Sequence, residues 1–459
     1  MSHRDGIFPT FFLSGFECST FDWHERGRRD LCEETQHRAH ADEDYRMLRE
    51  LGIAVAREGI PWPLVDRGGG DYDFSYIDPF LEAQRRYSIL PIWDLCHYGY
   101  PDGLDPFGEA FVPRFVAYAR AAARYVAERA HHGPLFFTPT NEPTFFGYMA
   151  GEWGWAAPFG KDRDTRRRLT LALARADIAA VKAIREHFPD ARMVHIDPLI
   201  WVVPPRDRPD LAEAAHRESY DDAYLAWDAI SGRRFPELGG SPETIDVIGF
   251  NNYSFGQMEY REHGPHAALE PGDDRIRPLC DLIEEGWKPY GRPCIVAETS
   301  GLKGGRPDWL NDVVAEGLAA VNRGVDLQGI CLFPAVDMPD WGTLRCRPRG
   351  RRDRRPHGPA LGPPARPASP VQRRGEPRAR PRRTARRSAR PPGPAWVRTA
   401  AGLLTERAEE RAEVGGEELG FLQRHEVAAH GRATPVPQVG VATLGERPRH
   451  VAEDRFGAH

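Results

Sequence analysis

Two glutamates stand where short apolar runs give way to polar residues. FFTPTNEP carries Asn141 and Glu142, and CIVAETS carries Glu298. A pair of carboxylates can do what neither does alone. One, protonated, donates to a leaving oxygen while the other, ionised, attacks carbon or activates water. That division of labour is the chemistry of glycoside hydrolysis. The plain alternative is two solvated loop glutamates.

Other chemistry-bearing residues are weaker candidates. The pairs His37/His40 and His131-His132 lack a further ligand at a convincing spacing, so no metal is expected. Cys18 and Cys96 fall near the ends of apolar runs without a basic partner in sequence, and read as buried thiols. Trp153 and Trp155 follow Glu142, where they either line sugar subsites or staple a loop. The GDD at 272–274 is a turn without phosphate-loop context. No cofactor is expected.

The elements that must hold the two carboxylates are legible as alternation. Apolar runs at 11–16, 53–57, 89–96, 135–140, 193–197, 246–251, 294–298 and 329–334 read as eight strands. Between them, helical patterns occupy 42–51, 74–87, 111–129, 165–188, 211–230, 277–285 and 309–323. In the third, Phe111, Phe115, Tyr118, Ala122, Tyr125 and Val126 recur with a helical period, which marks one buried face. Glycines at 52, 133, 232 and 324 sit where helices should end. Strands separated by helices pair in parallel, and eight of them fit a (β/α)8 barrel better than an open sheet. In such a barrel the reacting groups lie at the C-terminal strand ends, where Glu142 and Glu298 fall.

Composition agrees with a folded chain. The 459 residues are 41% hydrophobic, with 11 Trp, 14 Tyr and 22 Phe, which excludes a wholly disordered protein. No run approaches the ~18 apolar residues of a membrane span. The apolar stretch at 7–16 contains Pro9 and no cleavage site follows it, so no signal peptide is expected. Seven cysteines without CxxC spacing point to reduced thiols and a cytoplasmic location.

The charge is uneven. The net −5 hides 58 Arg against four Lys, and residues 345–400 alone carry 18 Arg with only Asp353 and Glu376 to offset them. Twelve prolines in the same segment would break any long helix there, just where an eighth barrel helix is due. No Ile, Lys, Asn, Met or Tyr follows Trp341. The chain therefore divides into a barrel at 1–342, apparently lacking a normal eighth helix, and an Arg/Pro-rich tail at 343–459. Three readings of the tail stand: a solvated extension, a basic arm for a polyanion such as nucleic acid, or the product of a reading-frame shift in a GC-rich gene. The shift explains the abrupt change of composition best.

Residues 8–341 resemble a clan A glycoside hydrolase, nearest the family 1 β-glucosidase group. The carriers are GFECSTFDW, AREGIPW, LPIWDLCHYGYPDGL, TPTNEP, DVIGFNNYS, IVAETS and LFPAVDMPDW, in the family's order. The resemblance implies a retaining mechanism, with Glu142 as general acid/base and Glu298 as nucleophile. It implies that Arg57 and Tyr253 hold the nucleophile, that Asn141 and His97 bind sugar hydroxyls, and that Trp341 is an apolar platform. Asp340 stands at a family glutamate that reaches outer hydroxyls, and Glu17 stands near a first-strand glutamine. Those two changes make glucose an unsafe assignment. Glu58, where a Phe is usual, and Gly99, where an Asp is frequent, are further departures. The expected partner is a small carbohydrate or glycoside. The alternatives are a catalytically impaired or sugar-binding barrel and, more remotely, a polyanion-binding protein acting through the tail.

Overall fold

A computed structural model describes residues 6–24, 27–130, 133–301 and 305–338. Eight parallel strands close into a barrel: β1 Phe12–Gly15, β2 Val55–Gly59, β3 Leu90–Asp94, β4 Phe136–Thr138, β5 Arg192–Pro198, β6 Val247–Asn251, β7 Cys294–Thr299 and β8 Leu327–Leu332. Closure is made by β1, which pairs with β8 on one side and β2 on the other. Among the described residues, seven main helices alternate with the strands: α1 His37–Glu50, α2 Asp78–Tyr87, α3 Phe111–Ala127, α4 Arg163–Arg185, α5 Leu225–Ile230, α6 Leu279–Trp287 and α7 Arg306–Asn322. The expected (β/α)8 fold is thus present. The eighth-helix position and the tail lie outside the described residues. Among the described residues, no helix is long and apolar enough to cross a membrane.

Strand parity explains how the sequence builds two cores. Phe8, Leu13, Val55, Ile92, Phe136, Val194, Ile196, Val247, Ile295, Ala297 and Cys331 fill the barrel interior. Their neighbours Phe12, Ala56, Trp93, Phe137, Ile248, Val296 and Ile330 face outward and join the helices in a larger cluster. The interior is narrow: a Cβ at Gly249 would lie 2.6 Å from Ile196 Cγ1 and 2.8 Å from Ala297 Cβ.

Two helices differ from their sequence expectation. α1 begins at His37 rather than 42, because a kink at His40 (φ −116°, ψ 18°) joins an extra turn to the expected segment. The single helix expected at 211–230 is broken into Ala212–Arg217, a π-helical turn Glu218–Asp222, and α5. The interruption coincides with Glu218, which is buried on Arg166 (2.9 Å) and Arg163 (2.7 Å). A periodicity argument sees the apolar face of this segment but not the ion pairs that interrupt it. The helix-ending glycines behave as expected, with φ +77° at Gly52 and +94° at Gly324.

Glu58 illustrates the same parity. Arg57 points into the barrel, so Glu58 points out toward α1, where His37 Nε2 (2.9 Å) and the Tyr45 hydroxyl (2.8 Å) bond its Oε2. Asp44 holds the other ring nitrogen at 2.8 Å, and Phe16 and Phe80 stack on the imidazole. The departure from an apolar residue at position 58 is therefore matched by a buried polar network joining β2 to α1. Gly99 is equally constrained. A Cβ there would lie 2.3 Å from the Thr20 carbonyl oxygen, so the loop after β3 can pass the loop after β1 only with glycine.

Candidate active site

The site is built where inward-facing positions reach the C-terminal ends of the strands. On β2, the parity that buries Val55 inside the barrel also turns Arg57 inward. Arg57 is 1% exposed, and its guanidinium is divided among four acceptors. Nη1 donates to Glu298 Oε1 (2.5 Å) and to the Ala297 carbonyl (3.1 Å), while Nη2 donates to Asp94 Oδ2 and Asn141 Oδ1, both at 2.7 Å. Phe333 lies over the guanidinium at 5.4 Å.

Glu298 reaches the site through an irregularity. Ile295 and Ala297 face the interior, so simple alternation would send Glu298 out. The pairing of β6 with β7 skips a residue here, Phe250 opposing Val296 and Asn251 opposing Glu298. This bulge turns Glu298 into the barrel mouth, as bulges beside functional sites commonly do. Its second oxygen accepts the Tyr253 hydroxyl at 2.6 Å.

Glu142 follows β4 in the left-handed region, at φ +45° and ψ 60°, which is a costly conformation for a residue with a Cβ. Its N–H donates to the Ile196 carbonyl of β5 (3.0 Å), and Asn141 N–H donates to the Cys96 carbonyl (2.9 Å), so both neighbouring strands fix the turn. Asn251 Nδ2 donates to Glu142 Oε1 at 2.8 Å, and the Tyr98 hydroxyl donates to Oε2. Burial and the charge of Glu298 push the Glu142 carboxyl up to about 7, although both hydrogen bonds act the other way.

His97, beyond the end of β3, has a tautomer set by its neighbours. Arg57 makes Asn141 Oδ1 an acceptor, so the amide nitrogen faces His97 Nε2 (3.1 Å), which accepts. The Nδ1 proton is then shared between Asp94 Oδ2 (3.0 Å) and Cys18 Sγ (3.1 Å). Cys18 and Cys96 are buried free thiols, as expected, although Cys18 lies beside His97, a neighbour that the sequence does not reveal. Burial and the charge of Asp94 push the Cys18 thiol well up, and Cys96 is pushed by burial to about 12.

Sequence reasoning named Glu17, Arg57, His97, Asn141, Glu142, Tyr253, Glu298, Asp340 and Trp341. The first seven gather at this end of the barrel. Glu17 is buried, uses Oε1 to accept the Ser19 N–H (2.9 Å), and adds its charge to the surroundings of His97 and Tyr253. Asp340, Trp341 and His131-His132 lie outside the described residues. Sequence reasoning passed over Asp94, Tyr98 and Asn251. Parity could have found two of them, since Asp94 follows interior Ile92 and Asn251 follows interior Val247 by even steps. Tyr98 carries no such signal, because it lies in a loop with φ +62°.

Among the described residues, Cys18, Asp94 and His97 alone bring three possible metal-ligand atoms together. Arg57 Nη2, 2.7 Å from the same Asp94 oxygen, already supplies the positive charge that a cation would bring. The group fits a hydrogen-bonded cluster better than a metal centre. His37 is held by Asp44 and Glu58, while His40 faces only Glu43 at 3.5 Å, so that pair forms no metal site either.

The structure is a closed (β/α)8 barrel with two carboxylates gathered at its C-terminal mouth. No family model matches the chain. The chain is 22% identical over 355 residues to β-glucosidase A of Acetivibrio thermocellus, covering 65% of this chain and 78% of that protein. It is 23% identical over 383 residues to human lactase/phlorizin hydrolase, a match of 66% of this chain and 19% of that protein. The family 1 β-glucosidase of Thermotoga maritima superposes with a TM-score of 0.58 at 17% identity, covering 73% of this chain and 91% of the other. The Thermotoga enzyme in complex with deoxynojirimycin gives 0.60 at 18%, covering 73% and 90%. The chain thus shares the fold of the family 1 β-glucosidase of Thermotoga maritima and resembles β-glucosidase A and lactase/phlorizin hydrolase in sequence at 22–23% identity.

Proposed function

We propose that this protein is a retaining glycoside hydrolase acting on β-linked glycosides, with Glu142 as acid/base and Glu298 as nucleophile. The observation that carries this reading is the contrast between the two carboxylates. Glu298 accepts from Arg57 at 2.5 Å and Tyr253 at 2.6 Å, donors that hold its two oxygens at the barrel mouth. Glu142, pushed to about 7, keeps its proton near neutrality and can deliver it to a leaving oxygen.

Attack by Glu298 on the anomeric carbon breaks the glycosidic bond as Glu142 protonates the departing oxygen. Once Glu298 is esterified its negative charge is gone, so the carboxyl of Glu142 becomes more acidic. It can then accept a proton from water, which cleaves the glycosyl-enzyme with net retention. Asn141, oriented by Arg57, would bind the sugar 2-hydroxyl. His97 and Glu17 would meet further sugar hydroxyls. Asp340 and Trp341 complete the proposed sugar contacts, with no cofactor and a small glycoside as the partner.

The test is hydrolysis of a series of aryl β-glycosides by the full chain, with the anomeric configuration of the first product read by NMR. Retention is expected, and Glu298→Ala or Glu142→Gln should remove most turnover. Substrate binding without turnover in the unaltered protein would establish the sugar-binding alternative instead.

A further inference from the structure

The two carboxylates are joined by a continuous line of hydrogen bonds. Arg57, bound to Glu298, donates to Asn141 Oδ1; Asn141 Nδ2 faces the Tyr98 hydroxyl at 3.3 Å; and Tyr98 donates to Glu142 Oε2. Direction is imposed from the Arg57 end. A guanidinium only donates, so Asn141 must turn its carbonyl toward Arg57 and its amide protons toward His97 and Tyr98. The Tyr98 oxygen then accepts a hydrogen bond from Asn141, and its own O–H is left to point at Glu142. Tyr98 is 4% exposed and held at φ +62°, with its ring edge-on to His97, Phe145 and Phe146.

We propose that Tyr98 is a positioning residue for the acid/base: its hydroxyl, oriented through Asn141 by Arg57, holds Glu142 in place and favours the ionised carboxylate. The inference rests on the glycosidase reading of Glu142. Burial, with the charge of Glu142 beside it, keeps the Tyr98 phenol protonated far above neutrality, so it remains a donor throughout the working range. The other groups around Glu142 are Glu298 on β7, Asn251 on β6, Tyr253 after β6, His97 after β3 and Asp197 on β5. Glu298 opposes ionisation of Glu142, while the hydrogen bond from Asn251 favours it. Tyr98 supplies the donor on the Oε2 side, and an acid/base that must stand ionised to take a proton from water in the second half of each turnover needs that bias.

The experiment is the pH dependence of kcat/KM for an aryl β-glycoside, with Tyr98→Phe in the full chain. Loss of the hydroxyl should move the alkaline limb upward by about one pH unit. It should also slow substrates with poor leaving groups differently from a dinitrophenyl glycoside, whose departure needs no proton. A folding defect would lower both substrates equally and leave the limb in place. Should Tyr98→Phe fail to fold, 3-fluorotyrosine at position 98 supplies a stronger donor and should move the limb down. A folded variant with an unmoved limb, beside an inactive Glu142→Gln, overturns the role of Tyr98 alone. Full turnover by Glu142→Gln overturns the glycosidase reading itself.

Discussion

Arg57 reaches across the barrel mouth from β2 to within 2.5 Å of Glu298 on β7, two strands that are not neighbours in the sheet. The same guanidinium neutralises Asp94 and orients Asn141, so one buried cation organises three groups. Replacement by methionine would leave Asp94 and Glu298 buried without it, at about 3–5 kcal/mol of stability. Lysine would keep the charge but lose the fork. We expect Arg57→Lys to fold and to retain at most about 1% of wild-type kcat, as loss of an oriented electrostatic donor usually costs 10²–10³. Wild-type kcat in Arg57→Lys would refute the positioning role.

If Glu142 is the acid of the proposed mechanism, its proton sets the alkaline side of activity. With its carboxyl pushed up to about 7, kcat/KM should fall roughly tenfold per pH unit above that value as the acid loses its proton. A plateau extending to pH 9 would show that Glu142 is not the proton donor.

The buried His37 between Asp44 and Glu58 predicts a pH-dependent stability. Burial lowers its proton affinity, but the two carboxylates outweigh that and hold the folded pKa above the ordinary value. A raised folded pKa contributes stability that is complete below about 6.5, the unfolded value, and is lost as pH rises through the folded one. The melting temperature should therefore decline as this window is crossed. Glu58→Gln should flatten the decline and cost about 3 kcal/mol near pH 6. An unchanged melting curve would remove the network from the account of stability.

Gly99→Ala tests the close approach of two loops. The added Cβ would meet the Thr20 backbone at 2.3 Å, so one loop must move and carry His97 or Cys18 with it. The expected result is a loss of activity exceeding the loss of melting temperature. Normal kinetics would mean that the loops accommodate the methyl group.

The Arg/Pro-rich segment at 343–459 has a direct genetic test. The DNA around codon 343, read in all three frames, should show another frame continuing into an amphipathic helix. Three frames without such a pattern would make the tail an in-frame feature of this protein.

Much of this molecule is legible in its residues. Alternating apolar runs and helical patterns determine eight strands and seven helices, because a parallel strand pair requires a crossover and each helix must bury one face. NEP after the fourth run and ETS at the seventh place both carboxylates at C-terminal strand ends. Even the opposite directions of Arg57 and Glu58 follow from strand parity. Tertiary structure decided what depends on contacts between distant elements. The bulge on β7 turns Glu298 inward against that parity. The helix that periodicity draws as continuous is interrupted at Glu218, which is buried on Arg163 and Arg166. Arg57 fixes the amide of Asn141, which directs the Tyr98 hydroxyl onto Glu142. A sequence pattern records which face a residue prefers, whereas a hydrogen-bond direction is set only when donors and acceptors from several strands meet.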